Sequence, residues 1–137
     1  MILLDTDVVS GLMRPSVDSA LTAWITGVTE ERFAVSTVTV AEIAFGLGRL
    51  PGGRRKSALT ANADRLFEGM TIVDFDGAMA ARSGAFRSKR ERAGRPLSFA
   101  DSMIAATASV LDIALASRNL SDFAGLDLSV VDPWREA

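Results

Sequence analysis

The 137-residue chain contains no cysteine, no histidine and no tyrosine. Without cysteine there is no disulfide framework, no thiol nucleophile and no thiolate ligand for zinc. Without histidine the imidazole is missing as a general base and as a metal ligand, and a Ser-His-Asp triad is excluded. Long apolar runs are missing as well. No stretch approaches the roughly 18 residues needed to cross a bilayer. The opening Ile2–Leu4 run is too short for the apolar part of a secretory leader. A soluble, cytoplasmic protein without membrane association is expected. Any chemistry must then come from Asp, Glu, Lys, Arg, Ser or Thr, with a hard metal ion as the natural helper.

With 48% hydrophobic and 23% charged residues the composition is that of a folded globular chain, and one domain over residues 1–137 is expected. The net charge of −2 conceals three blocks. Residues 1–52 carry six acids and three bases, residues 53–98 ten bases and five acids, and residues 99–137 six acids and two bases. Such asymmetry points to an acidic site and a separate basic surface. Solvated helix faces would give the same pattern.

Short apolar strands alternate with helical patterns along the chain. Strands are expected at Ile2–Leu4, Phe33–Val35, Thr71–Phe75, Ile113–Ala116 and Leu128–Val131. Helices are expected at Val8–Met13, Ser16–Thr26, Thr39–Leu50, Arg54–Met70, Ala78–Ala93 and Ser98–Leu111, broken by Pro15, Pro51-Gly52-Gly53 and Gly94-Arg95-Pro96. This order implies an α/β domain with a central, mostly parallel β-sheet flanked by helices.

In such a sheet the carboxyl ends of the strands share one edge, where ligands bind. Asp5 ends the first strand, Glu42 opens the helix after the second, Asp101 opens the small-residue helix, and Asp122 follows the fourth strand. Each has a structural explanation taken singly. Thr39-Val40-Ala41-Glu42 and Ser98-Phe99-Ala100-Asp101 both have the form of a capping box, and Asp7 before Val8 reads as a helix N-cap. Taken together they mean more, because capping does not require four acids to face one point. Like charges gathered in a cleft call for a cation, and an oxygen-only donor set suits Mg²⁺ or Mn²⁺. The basic residues Arg54, Arg55 and Lys56, and the denser group Arg87, Lys89, Arg90, Arg92 and Arg95, suit phosphate binding without sequence readout. A metal-dependent nuclease is the leading inference.

Five segments then resemble one family: "LLDTDVVSGLMRP" at Leu3–Pro15, "TVTVAEIAFGLGRLPGGRR" at Thr37–Arg55, "GRPLSFADSMIAATA" at Gly94–Ala108, "ASRNLSDF" at Ala116–Phe123 and "DPW" at Asp132–Trp134. In this order they resemble the PIN-domain ribonuclease toxins of type II toxin–antitoxin pairs, of the VapC/FitB type. The resemblance implies a PIN-like fold, a homodimer, and Mg²⁺- or Mn²⁺-dependent endonucleolytic cleavage of RNA. It also implies restraint by a cognate antitoxin, with DNA engaged only through that antitoxin. Asp5 and Asp101 match the principal metal ligands, with Glu42 and Asp122 completing the acidic set. Thr6, Ser117 and Asn119 match supporting positions, and Arg118 lies where it would meet a phosphate or pair with an acid. One position departs: the family pattern has Asn after "LDT", whereas this chain has Asp7.

Two alternatives stay open on sequence. A PIN-fold module could act through its antitoxin and DNA without cleaving RNA, and retention of all four acids argues against it. A haloacid-dehalogenase-like phosphatase would also place Asp-x-Asp after a first strand. There, however, Gly-Thr would follow the second Asp, where Val8-Val9 stand here.

Overall fold

The computed structural model describes residues 1–28 and 32–135. Five short strands form one sheet in the order β3-β2-β1-β4-β5: β1 (Ile2–Leu4), β2 (Phe33–Ser36), β3 (Thr71–Val73), β4 (Ala114–Ala116) and β5 (Val130–Val131). Every pairing is parallel. Successive strand side chains point to opposite faces. Leu3, Ala34 and Leu115 therefore enter one apolar core and Leu4, Val35 and Ala116 the other. Burial on both faces is why these strands read as unbroken apolar runs rather than alternating ones.

Helices cover both faces. The first core packs under α5 (Gly77–Arg92) and α6 (Phe99–Leu111), with Phe86, Ile104 and Ala105 buried in it. The second packs under α1 (Thr6–Met13), α2 (Ser19–Gly27), α3 (Thr37–Gly48) and α4 (Arg54–Glu68) through Val8, Val9, Leu21, Trp24, Ile43 and Ala63. The α/β expectation is met, and no described helix is long and apolar enough to cross a membrane.

The chain leaves β1 toward β2 and β3, then returns to place β4 on the opposite side of β1. The connections after β1 and β4 part at the carboxyl edge, which opens a crevice there. Asp5 and Ser117 immediately follow those two strands.

Helix starts differ from the sequence expectation for one reason, the choice of cap. α1 begins at Thr6 rather than Val8 because Asp5, not Asp7, is its N-cap. Asp5 Oδ1 accepts the Thr6 N–H at 2.8 Å, and the Asp5 carbonyl accepts from Val8 at 3.1 Å and Val9 at 3.2 Å. α2 begins at Ser19 rather than Ser16 because Asp18 Oδ1 accepts the Ala20 N–H at 2.8 Å. α3 begins at Thr37 under a Ser36 cap, with the Val38 N–H donating to Ser36 Oγ at 3.0 Å. The box expected at Thr39–Glu42 therefore does not form, and Glu42 is released for other partners. At α6 the expected cap does form, with the Asp101 N–H donating to Ser98 Oγ at 3.1 Å. Gly94, at φ 72°, closes α5 where the sequence places the break.

Candidate active site

Asp5 is 4% exposed, and both its carboxylate oxygens are held. Oδ1 accepts from Thr6 as the cap, and Oδ2 accepts from the Ser117 hydroxyl at 2.7 Å. The acid is thus anchored by the two strands that flank the crevice. Ser117 is itself buried, and its Oγ also accepts the Asn119 N–H at 3.1 Å. Thr6 turns the opposite way: its hydroxyl donates to Glu42 Oε1 at 2.7 Å and lies 3.1 Å from Thr39 Oγ1. Glu42 is therefore tied to α1 rather than to its own helix start.

A cleft of about 610 Å³ opens at this edge, lined among others by Asp5, Thr6, Asp7, Glu42, Asp101, Arg118 and Asn119. Three of its carboxyls are pushed above the ordinary range. Burial raises Asp5 to about 7, the Asp7 and Asp101 charges add to the rise, and the hydrogen bonds from Ser117 and Thr6 oppose it. Asp7 is raised by burial and by Asp101, against the Arg118 and Val8 amides and the Arg118 charge. Asp101 is raised by burial and by Asp122, against Ser98. Each carboxylate loses hydration, which is the largest cause, and each also meets the charge of at least one neighbouring acid.

These residues fit a divalent cation. Asp7 Oδ1 is buried and has no hydrogen-bond partner, while Asp7 Oδ2 accepts from the Arg118 N–H at 3.3 Å and Asn119 Nδ2 at 3.2 Å. An unsatisfied buried carboxylate oxygen is costly without a donor or cation. Among the described residues no three acids converge on one point tightly enough to hold an ion by themselves. An ion seated here would complete its coordination with water.

The structure brings Asp5, Glu42, Asp101, Thr6 and Asn119 to the cleft, with Ser117 beneath Asp5. Asp122 sits on a 3-10 turn at Leu120–Phe123, exposed and outside the lining, and reaches the site through its charge on Asp101. Asp7, expected as a cap, instead lines the cleft, a correction that follows from the earlier start of α1. Arg118 also lines it.

The basic group after Phe86 does not act as one patch. Arg90, expected to bind RNA phosphate, is 7% exposed and points inward. Its Nε donates to the Arg95 carbonyl at 2.8 Å, and its Nη1 donates to the carbonyls of Asp122 and Ala124. Its role is to pin the 3-10 turn to α5. Lys89 Nζ donates to the Gly125 carbonyl at 2.8 Å, Arg95 Nη2 to the Ser121 carbonyl at 3.1 Å, and the Arg87 guanidinium stacks 4.8 Å over Phe99. Those three and Arg92 remain exposed.

Sequence reasoning missed Arg14 and Trp134, which also line the cleft. Arg14 follows a helix and precedes Pro15, and Trp134 read as an end marker in "DPW". Their only signal was proximity to the motifs in the fold.

A family model described as PIN domain matches residues 2–127. Toxin FitB of Neisseria gonorrhoeae is 34% identical over 140 residues, covering 99% of this chain and 100% of its own length. VapC ribonuclease Y4jK of Sinorhizobium fredii is 35% identical over 144 residues, with 100% of each chain covered. Among solved structures, FitAB bound to an IR36 DNA fragment is similar at TM-score 0.88 and 34% identity, covering 100% of this chain and 98% of that one.

Proposed function

This chain belongs to the PIN-domain family, and from that premise we propose that it is a metal-dependent endoribonuclease, the toxin of a type II toxin–antitoxin pair. The observation that carries the reading is the cleft itself. Burial raises the pKa of Asp5, Asp7 and Asp101 there, the Asp101 charge adds to the rise at Asp5 and Asp7, and one buried Asp7 oxygen has no hydrogen-bond partner. A site built that way is relieved by a cation.

Asp5 and Asp101 would be the principal ligands of Mg²⁺ or Mn²⁺, with Asp7, Glu42 and Asp122 acting through water or through charge. When bound, the cation supplies Lewis acidity toward a phosphodiester oxygen and toward water. The chain's own residues do the rest. Ser117 and the Thr6 amide fix the Asp5 rotamer, so its carboxylate needs no reorganisation when substrate arrives. Thr6 commits Glu42 Oε1, which leaves Oε2 to orient a water beside the scissile phosphate. Arg118 and Arg14 are the cations that line the cleft and offer donors to the phosphates on either side.

A groove shares Thr6, Ser10, Arg14 and Glu42 with the cleft and continues over Met13, Ile43, Leu47, Leu50 and Leu59. Its apolar floor running up to the acids supports seating of a cognate antitoxin segment, with DNA engaged through that partner. Exposed Phe45, Ile72 and Phe99 are consistent with a homodimer.

The test is cleavage of mixed RNA by antitoxin-free protein in Mg²⁺ or Mn²⁺, beside EDTA and the Asp5→Asn and Asp101→Asn variants. Metal-dependent cleavage lost in both variants is expected. Cleavage in EDTA, or full activity in both variants, overturns the assignment.

A further inference from the structure

Resting on the ribonuclease reading, we propose that Trp134 is a positioning residue that holds the Arg118 guanidinium at the acidic cleft as the clamp for an RNA phosphate. The guanidinium carbon lies 4.8 Å from the centre of the Trp134 ring, and both residues line the cleft beside Asp5 and Asp7. Among the described residues the guanidinium makes no ion pair and no hydrogen bond, although acids surround it. The stack on Trp134 therefore orients it, beside the attraction of the Asp7 charge, and its five N–H donors stay open to a ligand. A planar donor fork held in that state suits bidentate binding of a phosphate.

Both partners of the stack are anchored. The Arg118 amide donates to Asp7 Oδ2 at 3.3 Å, and Asn119 Nδ2 donates to the same oxygen at 3.2 Å. The Trp134 backbone N–H donates to Asp132 Oδ1 at 2.9 Å, and both Asp132 and Pro133 are buried. The ring lies against Gly11 of α1, where a Cβ would come within 3.2 Å of Trp134 Cζ2 and 3.0 Å of Leu21 Cδ2. Even a methyl at position 11 would require the Leu21 methyl and the ring edge to give by a few tenths of an ångström. Trp134 thus has its edge beside Gly11 of the helix that Asp5 caps and carries Arg118 over its ring. Such preorganisation lowers the ordering cost of gripping a flexible strand.

The test measures binding of a fluorescein-labelled, mixed-sequence single-stranded RNA by anisotropy across KCl concentrations. An Asp101→Asn background in Mg²⁺ keeps the strand intact. Arg118→Ala is expected to weaken binding about tenfold and to reduce the salt slope by about 0.7, the value of one single-strand phosphate contact. Trp134→Leu should reproduce both losses although every charge is retained. Trp134→Phe, which keeps a ring, should recover to within about threefold of the background. The Arg118→Ala/Trp134→Leu double variant should be no weaker than Arg118→Ala alone. Thermal melts check folding, and should Trp134→Leu unfold, Trp134→Met removes the ring while keeping apolar bulk and should show the same loss.

A folded Trp134→Leu protein with unchanged affinity and slope overturns the proposal, as do additive losses in the double variant or an Arg118→Ala protein that binds normally. RNA cleavage by the Asp101→Asn background would instead count against the nuclease reading of the acids, while the slopes still decide the role of the stack.

Discussion

The Ser117 hydroxyl donates to Asp5 Oδ2 at 2.7 Å, joining residues 112 positions apart. The bond exists because β1 and β4 are parallel neighbours with Leu4 opposite Ala116, so the residues that follow each strand emerge side by side. It locks the carboxylate at the crevice and favours its ionised form against burial.

Ser117→Ala should therefore move the Asp5 pKa further upward. Since the ionised carboxylate is the form that serves a cation, the acid limb of kcat/KM against pH should shift to higher pH, with the alkaline plateau least affected. The lost hydrogen bond should cost about 1 kcal/mol of stability, read by urea unfolding. An unchanged acid limb would show that Asp5 does not control it.

Asp5 also makes metal-free stability depend on pH in an unusual direction. Its folded pKa of about 7 lies above the ordinary 3.8, so the native state holds a proton that the unfolded state has released. The contribution is complete below the ordinary value and is lost as pH rises through about 7. Asp7 and Asp101 are raised as well and act with the same sign. Urea unfolding in EDTA should show stability falling between about pH 4 and pH 7, with Asp5 contributing up to about 1.4 kcal/mol per pH unit. Adding Mg²⁺ should flatten that fall. Stability that rises across the window would contradict the burial of these carboxyls.

Asp7→Asn should weaken Mn²⁺ binding more than Asp122→Asn does, because Asp7 lines the cleft with an unpartnered oxygen and Asp122 acts from outside it. A loss of about tenfold for the first and a few-fold for the second is expected, measured by calorimetry or Mn²⁺ paramagnetic resonance. The reverse order would place Asp122 at the ion.

Arg90→Ala should act on stability rather than on RNA. Removing it leaves the carbonyls of Arg95, Asp122 and Ala124 without their charged donor. The expected cost is about 2 kcal/mol, seen as a lower urea midpoint, with the salt slope of RNA binding retained. Arg92→Ala, on an exposed side chain of the same helix, should stay within about 0.5 kcal/mol of wild type. A reduced salt slope with unchanged stability for Arg90→Ala would return that residue to the RNA-binding surface.

Much of this protein is decided by its sequence alone. The absence of His and Cys confines any metal site to oxygen ligands, and the short apolar runs bounded by Asp5, Ser36 and Ser117 mark buried parallel strands. Periodicity of 2 and 3.6 is a local property, so it survives without knowledge of the fold. Asp5, Glu42 and Asp101 were legible for the same reason, since each stands at a strand end or helix start. The tertiary structure alone decided which acid caps and which faces the cleft. Asp5 and Asp7 are equally good caps by residue type, and only the packing of Val8 and Val9 against the sheet, with Ser117 reaching across from β4, makes Asp5 the cap and turns Asp7 inward. It likewise buried Arg90 among carbonyls distant in sequence and set Trp134 against Gly11 beneath Arg118. Composition and spacing carry charge and period, whereas burial and pairing across 30 to 120 residues arise only when the chain closes on itself.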